Sequence, residues 1–280
     1  MSAHPVFDNH LHLQPSGRGV EALKDFFQAG GTHAVLCHMP YSEVPINTRE
    51  DFAESYRITL RMADKCNAES GAKVFACVGP YPVLLIGLAE RFGLPRAVEI
   101  MKDGMEEAQR LVLERETVAI GEIGRPHFPV SAEILDASNE IMRYGMELAK
   151  EASCPVVLHT ESGDPAVMLD LARIADSAGL CREKVIKHYS PPLVLDEENH
   201  GLFPSVLASK PAIKEALSKG DRFVMETDFL DELSRPGAVM NINTVPKRTK
   251  ALLASGVLTE ERALRIHKDN PERLYGITIE

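Results

Sequence analysis

Short, nearly continuous apolar runs alternate with longer amphipathic segments along this chain. The runs "PVFDNHLHL", "HAVLCHMP", "KVFACVGPYP", "TVAIGEIG", "CPVVLHTES", "KVIKHYSP" and "RFVMETDFL" are rich in valine and isoleucine. Such runs predict parallel strands buried on both faces, whereas half-exposed strands alternate apolar with polar. An eighth strand is expected in "GLFPSVLAS", residues 201–209, although Pro204 removes a ladder donor there. Between the runs the period changes. Phe52, Tyr56, Leu60, Ala63 and Cys66 recur at steps of three and four and predict one face of a helix, and another helix is expected from about Ser131 to Ser153. "FFQAGG" places Gly30 and Gly31 at a helix stop just before the second strand. Strand and helix alternating throughout predict a parallel sheet.

Eight such units closing on themselves give an α/β fold, the (β/α)8 or TIM barrel, with an open doubly wound sheet as the alternative. No GxGxxG turn follows the first strand, which removes the usual dinucleotide-binding reading. "VPKRTKALLASG" and "TEERALRIHKDNPERLYG" supply closing helices after the eighth strand, and no linker, repeat or low-complexity tract interrupts the chain. A length of 280 residues suits one barrel domain spanning 1–280, since this fold needs roughly 250 residues.

Composition narrows the functional classes. Hydrophobic residues at 44% are enough for a large core, and a net charge of −10 disfavours a broad, unspecific grip on nucleic-acid backbone while leaving a metal-centred nuclease open. The compact basic cluster "PKRTK", Pro246 to Lys250, reads as a solvated helix start. Five cysteines, odd in number and without a CxxC pair, read as small core residues, not as disulfides or zinc thiolates. No apolar run approaches the ~18 residues of a membrane span, and "MSAHPVFDNH" lacks a basic start and an apolar signal core. A cytoplasmic protein without membrane contact is expected, with homo-oligomerisation left open.

The candidate chemistry lies in the placement of polar residues. His10 and His12, Glu122, His159, His188 and Asp228 all stand at or near the C-terminal ends of predicted strands. In a barrel those ends gather at one mouth, where active sites are built. Each residue alone has a bland explanation as a hydrogen-bonded core histidine, a loop acid or a cap. Together, four imidazoles and two carboxylates buried around one point without cations would leave repelling acids and unpaired polar groups. Imidazole with carboxylate suits divalent metals, zinc foremost, with manganese, magnesium, iron, cobalt or nickel as alternatives. Six ligands exceed what one tetrahedral catalytic zinc takes. Two ions sharing Glu122 as a bridge account for the set, with His10, His12 and Asp228 on one and His159 and His188 on the other.

The order HxH on strand one, Glu on strand four, His on strand five, His on strand six and Asp on strand eight resembles the amidohydrolase superfamily, in particular its TatD-related branch. "GEIG" and "ETD" are further local matches, and the resemblance covers nearly the whole chain. It implies two divalent metals at these positions, Asp228 as proton acceptor beside the bridging Glu122, and hydrolysis by a metal-bound hydroxide. Phosphoester cleavage of deoxyribonuclease type leads, lactone or amide hydrolysis is the alternative, and a non-catalytic metal-binding barrel is a third. TatD nucleases usually carry an arginine soon after the strand-five histidine and a DxPY-like run after the aspartate; this chain reads "HTESGD" and "TDFLDE". The expected substrate is a small molecule or a nucleic-acid fragment. Arg125, His127 and His38 are candidate substrate contacts, Tyr41, Tyr81 and Tyr189 are similarly placed, and alternation points Lys187 away from the mouth. An Arg or Lys cluster at the mouth would favour phosphoester chemistry, an apolar pocket carbonyl chemistry.

Overall fold

The computed structural model describes residues 4–280. Nine parallel strands form one sheet: β1 Phe7–His12, β2 His33–Cys37, β3 Lys73–Val78, β4 Ala119–Gly124, β5 Val156–His159, β6 Val185–Ser190, β7 Phe203–Leu207, β8 Val224–Glu226 and β9 Phe229–Leu230. All eight expected strands are present, and the eighth run is divided. β8 pairs with β7, the backbone turns aside at Thr227–Asp228, and β9 pairs with β1 through Leu11 with Phe229 and His12 with Leu230. One stretch therefore meets both neighbours and closes the curled sheet, a TIM-barrel-like α/β fold. Pro204 is accommodated in β7, where the register against β6 shifts between Lys187 and Ser190.

The helices answer the periodicity. Arg49–Glu69 buries Phe52, Tyr56, Leu60, Ala63 and Cys66, and its first turn is closed by a capping box between Thr48 and Asp51. Ala132–Glu151 begins after Ser131, whose hydroxyl accepts from the Ile134 amide. The first helix ends at Gln28, followed by Gly30 at φ 107°, a backbone conformation that favours glycine.

One apolar layer lies between the sheet and these helices. A second, inside the ring, stacks Val35, Cys37, Cys77, Val157, Ile186, Phe203 and Val224 on Phe7, and Leu274, Tyr275 and Ile279 join it from the C-terminal segment. The interior is thus filled below the mouth, and the polar side chains expected at the site converge above this layer.

Two expectations are corrected. Cys181 is exposed because it sits in the turn leading to β6, whereas Cys37, Cys66, Cys77 and Cys154 are buried as read. In "PKRTK", Lys247 and Lys250 are exposed, but Pro246 and Thr249 pack inward and Arg248 donates to the Ala208 carbonyl, so the helix start is only half solvated. No helix among the described residues is long and apolar enough to cross a membrane.

Candidate metal centre

Local backbone features aim each polar side chain. β1 takes one extra residue against β2, since Asp8 pairs with Ala34 and Leu11 already with Leu36. This bulge lets both Asn9 and His10 reach the interior, while His10 and His12 stay on one face two residues apart. In β4, Glu122 is flanked by glycines whose smallness is required: a Cβ on Gly121 would lie 2.6 Å from Val157 Cβ, and one on Gly124 2.2 Å from the His159 carbonyl oxygen. Asp228 has φ 47° and donates its amide to the His10 carbonyl at 2.9 Å. The buried Asp8 carboxylate holds this turn by accepting from the Thr227 amide at 3.0 Å and hydroxyl at 2.7 Å.

The six residues expected to meet do meet. Glu122 Oε1 lies 3.3 Å from His10 Nε2, 3.2 Å from His159 Nδ1 and 3.2 Å from His188 Nε2. Asp228 Oδ1 is 3.6 Å from His12 Nε2 and 4.0 Å from His10 Nε2, and the two Nε2 atoms are 3.1 Å apart. Ligand-type atoms of His10, His12 and Glu122, and of Glu122, His159 and His188, fall within 4.8 Å of one another.

Outer contacts orient the rings. His12 Nδ1 donates to the Cys37 carbonyl at 3.0 Å, which leaves Nε2 bare toward the centre. His10 Nδ1 faces Cys37 Sγ at 3.3 Å. His159 Nε2, turned outward, meets His127 Nδ1 at 2.9 Å and the Tyr81 hydroxyl at 3.4 Å. His188 Nδ1 lies 3.0 Å from Oε1 of the fully buried Glu226, without a well-directed hydrogen bond. Glu226 in turn accepts from the Tyr189 amide at 2.7 Å and from Ser205 Oγ. Neither Glu226 nor Asp8 was singled out from the sequence. The available signal was an acid inside each of two otherwise apolar strands, in "FDNH" and "VMET".

The electrostatics match a cation site. Burial alone would strip the proton from His10, but Glu122, Glu226 and Asp228 raise its pKa to about 10. Burial likewise opposes ionisation of Glu122 and Asp228, yet the neighbouring imidazoles hold Glu122 well below the usual carboxylate range and lower Asp228. The cluster therefore compensates its acids with protons on histidine. Nitrogen and carboxylate donors aimed at one volume, with no lysine or arginine among them, fit divalent cations that would displace those protons.

The candidate substrate contacts are placed differently. Arg125 is buried and bound to Glu161 at 2.6 Å, Asp170 at 2.7 Å and Asn139 at 3.0 Å. His38 is buried with Nδ1 2.9 Å from Thr59 Oγ1, and burial lowers its pKa to about 3. His127 stands beside His159. Tyr41 is buried against Thr59, Tyr189 is exposed, and Lys187 is buried with its ammonium on the His188 carbonyl. A cavity of about 230 Å³ above the cluster is walled by His12, Met39, Pro40, Tyr81, Glu122, His159, His188, Asp228 and Leu230.

A curled parallel barrel with histidines and carboxylates converging at the C-terminal ends of its strands defines a metal-dependent hydrolase. The chain belongs to the TatD related DNase family, whose model matches residues 7–276. It is 39% identical over 279 residues to an uncharacterized protein of Methanocaldococcus jannaschii, covering 99% of this chain and 97% of that one. Its fold is similar to a TatD-like protein of Archaeoglobus fulgidus (TM-score 0.66, 20% identity, 97% of this chain and 100% of that one). It is equally similar to a TatD homologue of Escherichia coli (TM-score 0.66, 20% identity, 97% and 98%).

Proposed function

We propose that this chain is a binuclear divalent-metal hydrolase acting as one cytoplasmic barrel domain over residues 1–280. The observation that carries this reading is Glu122 Oε1 within 3.3 Å of imidazole nitrogens from three strands, with Asp228 alongside at the cavity wall. His10, His12 and Asp228 would hold one cation and His159 and His188 the other, with Glu122 shared and zinc the first choice of metal. When bound, such ions acidify water and polarise the bond to be cleaved. Asp228, kept ionised by its histidine neighbours and facing the cavity, accepts the proton of the attacking water and returns it to the leaving group. The outward hydrogen bonds of His12 and His159 fix the rings for that task.

Family membership supports a phosphoester bond, including deoxyribonuclease-type cleavage. Carbonyl hydrolysis of a lactone or amide is a second reading, favoured by Met39, Pro40 and Leu230 in the cavity wall. A barrel that binds metal without turnover would have no use for a base placed beside a full ligand set.

The test combines elemental analysis with turnover of single-stranded DNA, an aryl phosphodiester, lactones and an N-acyl amide by metal-reconstituted protein. Two ions per chain and hydrolysis of at least one substrate are expected. An active protein that never holds more than one ion removes the binuclear centre, and a two-ion protein inert on the whole panel removes the hydrolase.

A further inference from the structure

The loop after β4 is fastened to β5 and delivers a second histidine onto His159. The Arg125 amide donates to the His159 carbonyl at 3.0 Å, and the Arg125 guanidinium is held by Glu161, Asp170 and Asn139. Pro126 and Pro129 bracket the next two residues and fix the backbone angle on either side of them. His127 stands exposed at the rim with Nδ1 2.9 Å from His159 Nε2, its ring edge-on to that of His159 at 5.0 Å. Tyr81, a wall residue of the cavity, meets the same ring edge-on at 4.9 Å with its hydroxyl 3.4 Å from Nε2.

These contacts set where the protons lie. His159 turns Nδ1 to Glu122 Oε1, 3.2 Å away, so a cation held there leaves the ring proton on Nε2. Nε2 then donates to His127 Nδ1, the nearer partner, and a neutral His127 must carry its own proton on Nε2. That nitrogen lies on the far side of the ring and has no hydrogen-bond partner among the described residues. The Tyr81 hydroxyl, finding His159 Nε2 already committed, also keeps its proton free to donate. We infer that His127 and Tyr81 are a pair of neutral donors for one negatively charged oxygen of the substrate, at the rim beside the ion that His159 and His188 would hold. This rests on the hydrolase reading above and adds substrate-contacting residues to it. An anionic oxygen is the acceptor that such donors bind most strongly, and phosphoryl and carboxylate groups both supply one. His127 is in addition a positioning residue for His159, because its Nδ1 accepts the proton that the ligating tautomer requires.

The experiment titrates zinc-loaded protein calorimetrically with inorganic phosphate and with acetate, beside Tyr81→Phe, His127→Asn and His127→Phe. Asparagine places an amide oxygen near the Nδ1 position without reaching that of Nε2, whereas phenylalanine keeps a ring and loses both nitrogens. Tyr81→Phe and His127→Asn are expected to bind at least one of the anions about three- to tenfold more weakly at unchanged zinc content, the usual worth of one hydrogen bond. A loss confined to phosphate assigns a phosphoryl oxygen, and a loss confined to acetate assigns a carboxylate. His127→Phe is expected to lose about tenfold in affinity for the second zinc ion as well. Nitrogen-15 spectra of the zinc-loaded parent should show His127 protonated at Nε2 and bare at Nδ1. A parent that binds neither anion, variants that bind both as tightly as the parent, or a proton found on His127 Nδ1 overturns the donor pair and leaves the hydrolase standing. A two-ion protein inert on the whole hydrolysis panel removes the hydrolase reading instead, and the anion titrations still decide the donor pair.

Discussion

Asp228 and Glu226 are two residues apart and do different work. Asp228 faces the cavity, so replacing it with asparagine keeps the size and one oxygen for a cation while removing the base. Asp228→Asn is expected to retain near-normal metal content and to lose at least about a hundredfold in turnover per metal pair, the usual range for a positioned base. Unchanged turnover per pair with reduced occupancy would make Asp228 a ligand only. Glu226 never reaches the cavity; its carboxylate backs His188 and is itself held by Ser205, whose hydroxyl also accepts from Asn9, which in turn accepts from the Tyr275 hydroxyl. Glu226→Gln leaves the shape and removes the charge behind the ring. Metal affinity should fall by about ten- to a hundredfold, as for other carboxylates standing behind ligating histidines, with circular dichroism unchanged. A variant that binds metal as tightly as the parent would show that His188 is oriented by its stacking on His10 at 3.8 Å, not by the acid.

At the scale of an element, β4 shows how a strand can be both structural and chemical. Gly124 has φ 139°, and a Cβ there would overlap the His159 carbonyl oxygen, so Gly124→Ala must push β4 from β5 at the point where Glu122 and His159 meet. Gly30, also at positive φ but with nothing within 4 Å, is the control. Gly30→Ala should cost about 1–2 kcal/mol of backbone strain and leave metal binding intact. Gly124→Ala should cost more, about 2–4 kcal/mol, and impair metal binding as well. Equal losses of thermal stability in the two variants, with metal titrations alike, would refute the overlap argument. The strands and the convergence of the six polar side chains were legible in the sequence because burial on both faces leaves long Val/Ile runs and because a barrel places strand ends together. What was not legible depends on distant partners. The pairing of Arg125 with Glu161 and Asp170 joins three loop or helix segments that no period connects, and the division of the last run into β8 and β9 goes with Asp8 of β1 gripping Thr227 at the seam where the sheet closes.

Across the whole molecule the chain ends are tied by a histidine that plays no part at the mouth. His267, in a π-helical turn at Arg265–Asp269, is fully buried with Nδ1 3.1 Å from the Phe7 amide and Nε2 2.8 Å from Thr249 Oγ1. Burial lowers its pKa to about 4 against the opposing pull of the Phe7 backbone, so it is neutral in the fold at neutral pH. The unfolded chain, with an ordinary histidine near 6.5, binds this proton first as pH falls. The stability associated with neutral His267 is therefore complete above about pH 6.5 and is lost progressively toward pH 4, by about 3 kcal/mol in total. His38, also buried and lowered to about 3, adds in the same direction, so the wild-type curve alone does not isolate the residue. The difference between wild type and His267→Gln does. Glutamine cannot take up the proton but can still reach Thr249, so the variant should be less stable than wild type at pH 7.5, and the gap should narrow by up to about 3 kcal/mol by pH 4.5. Urea unfolding of both chelator-treated proteins across that range measures it. Two curves that stay parallel would mean that His267 takes up its proton at the same pH in the fold as in the unfolded chain, and a gap that widens as pH falls would mean that the ring is charged inside the fold and joins the first strand to the C-terminal segment by a charged hydrogen bond.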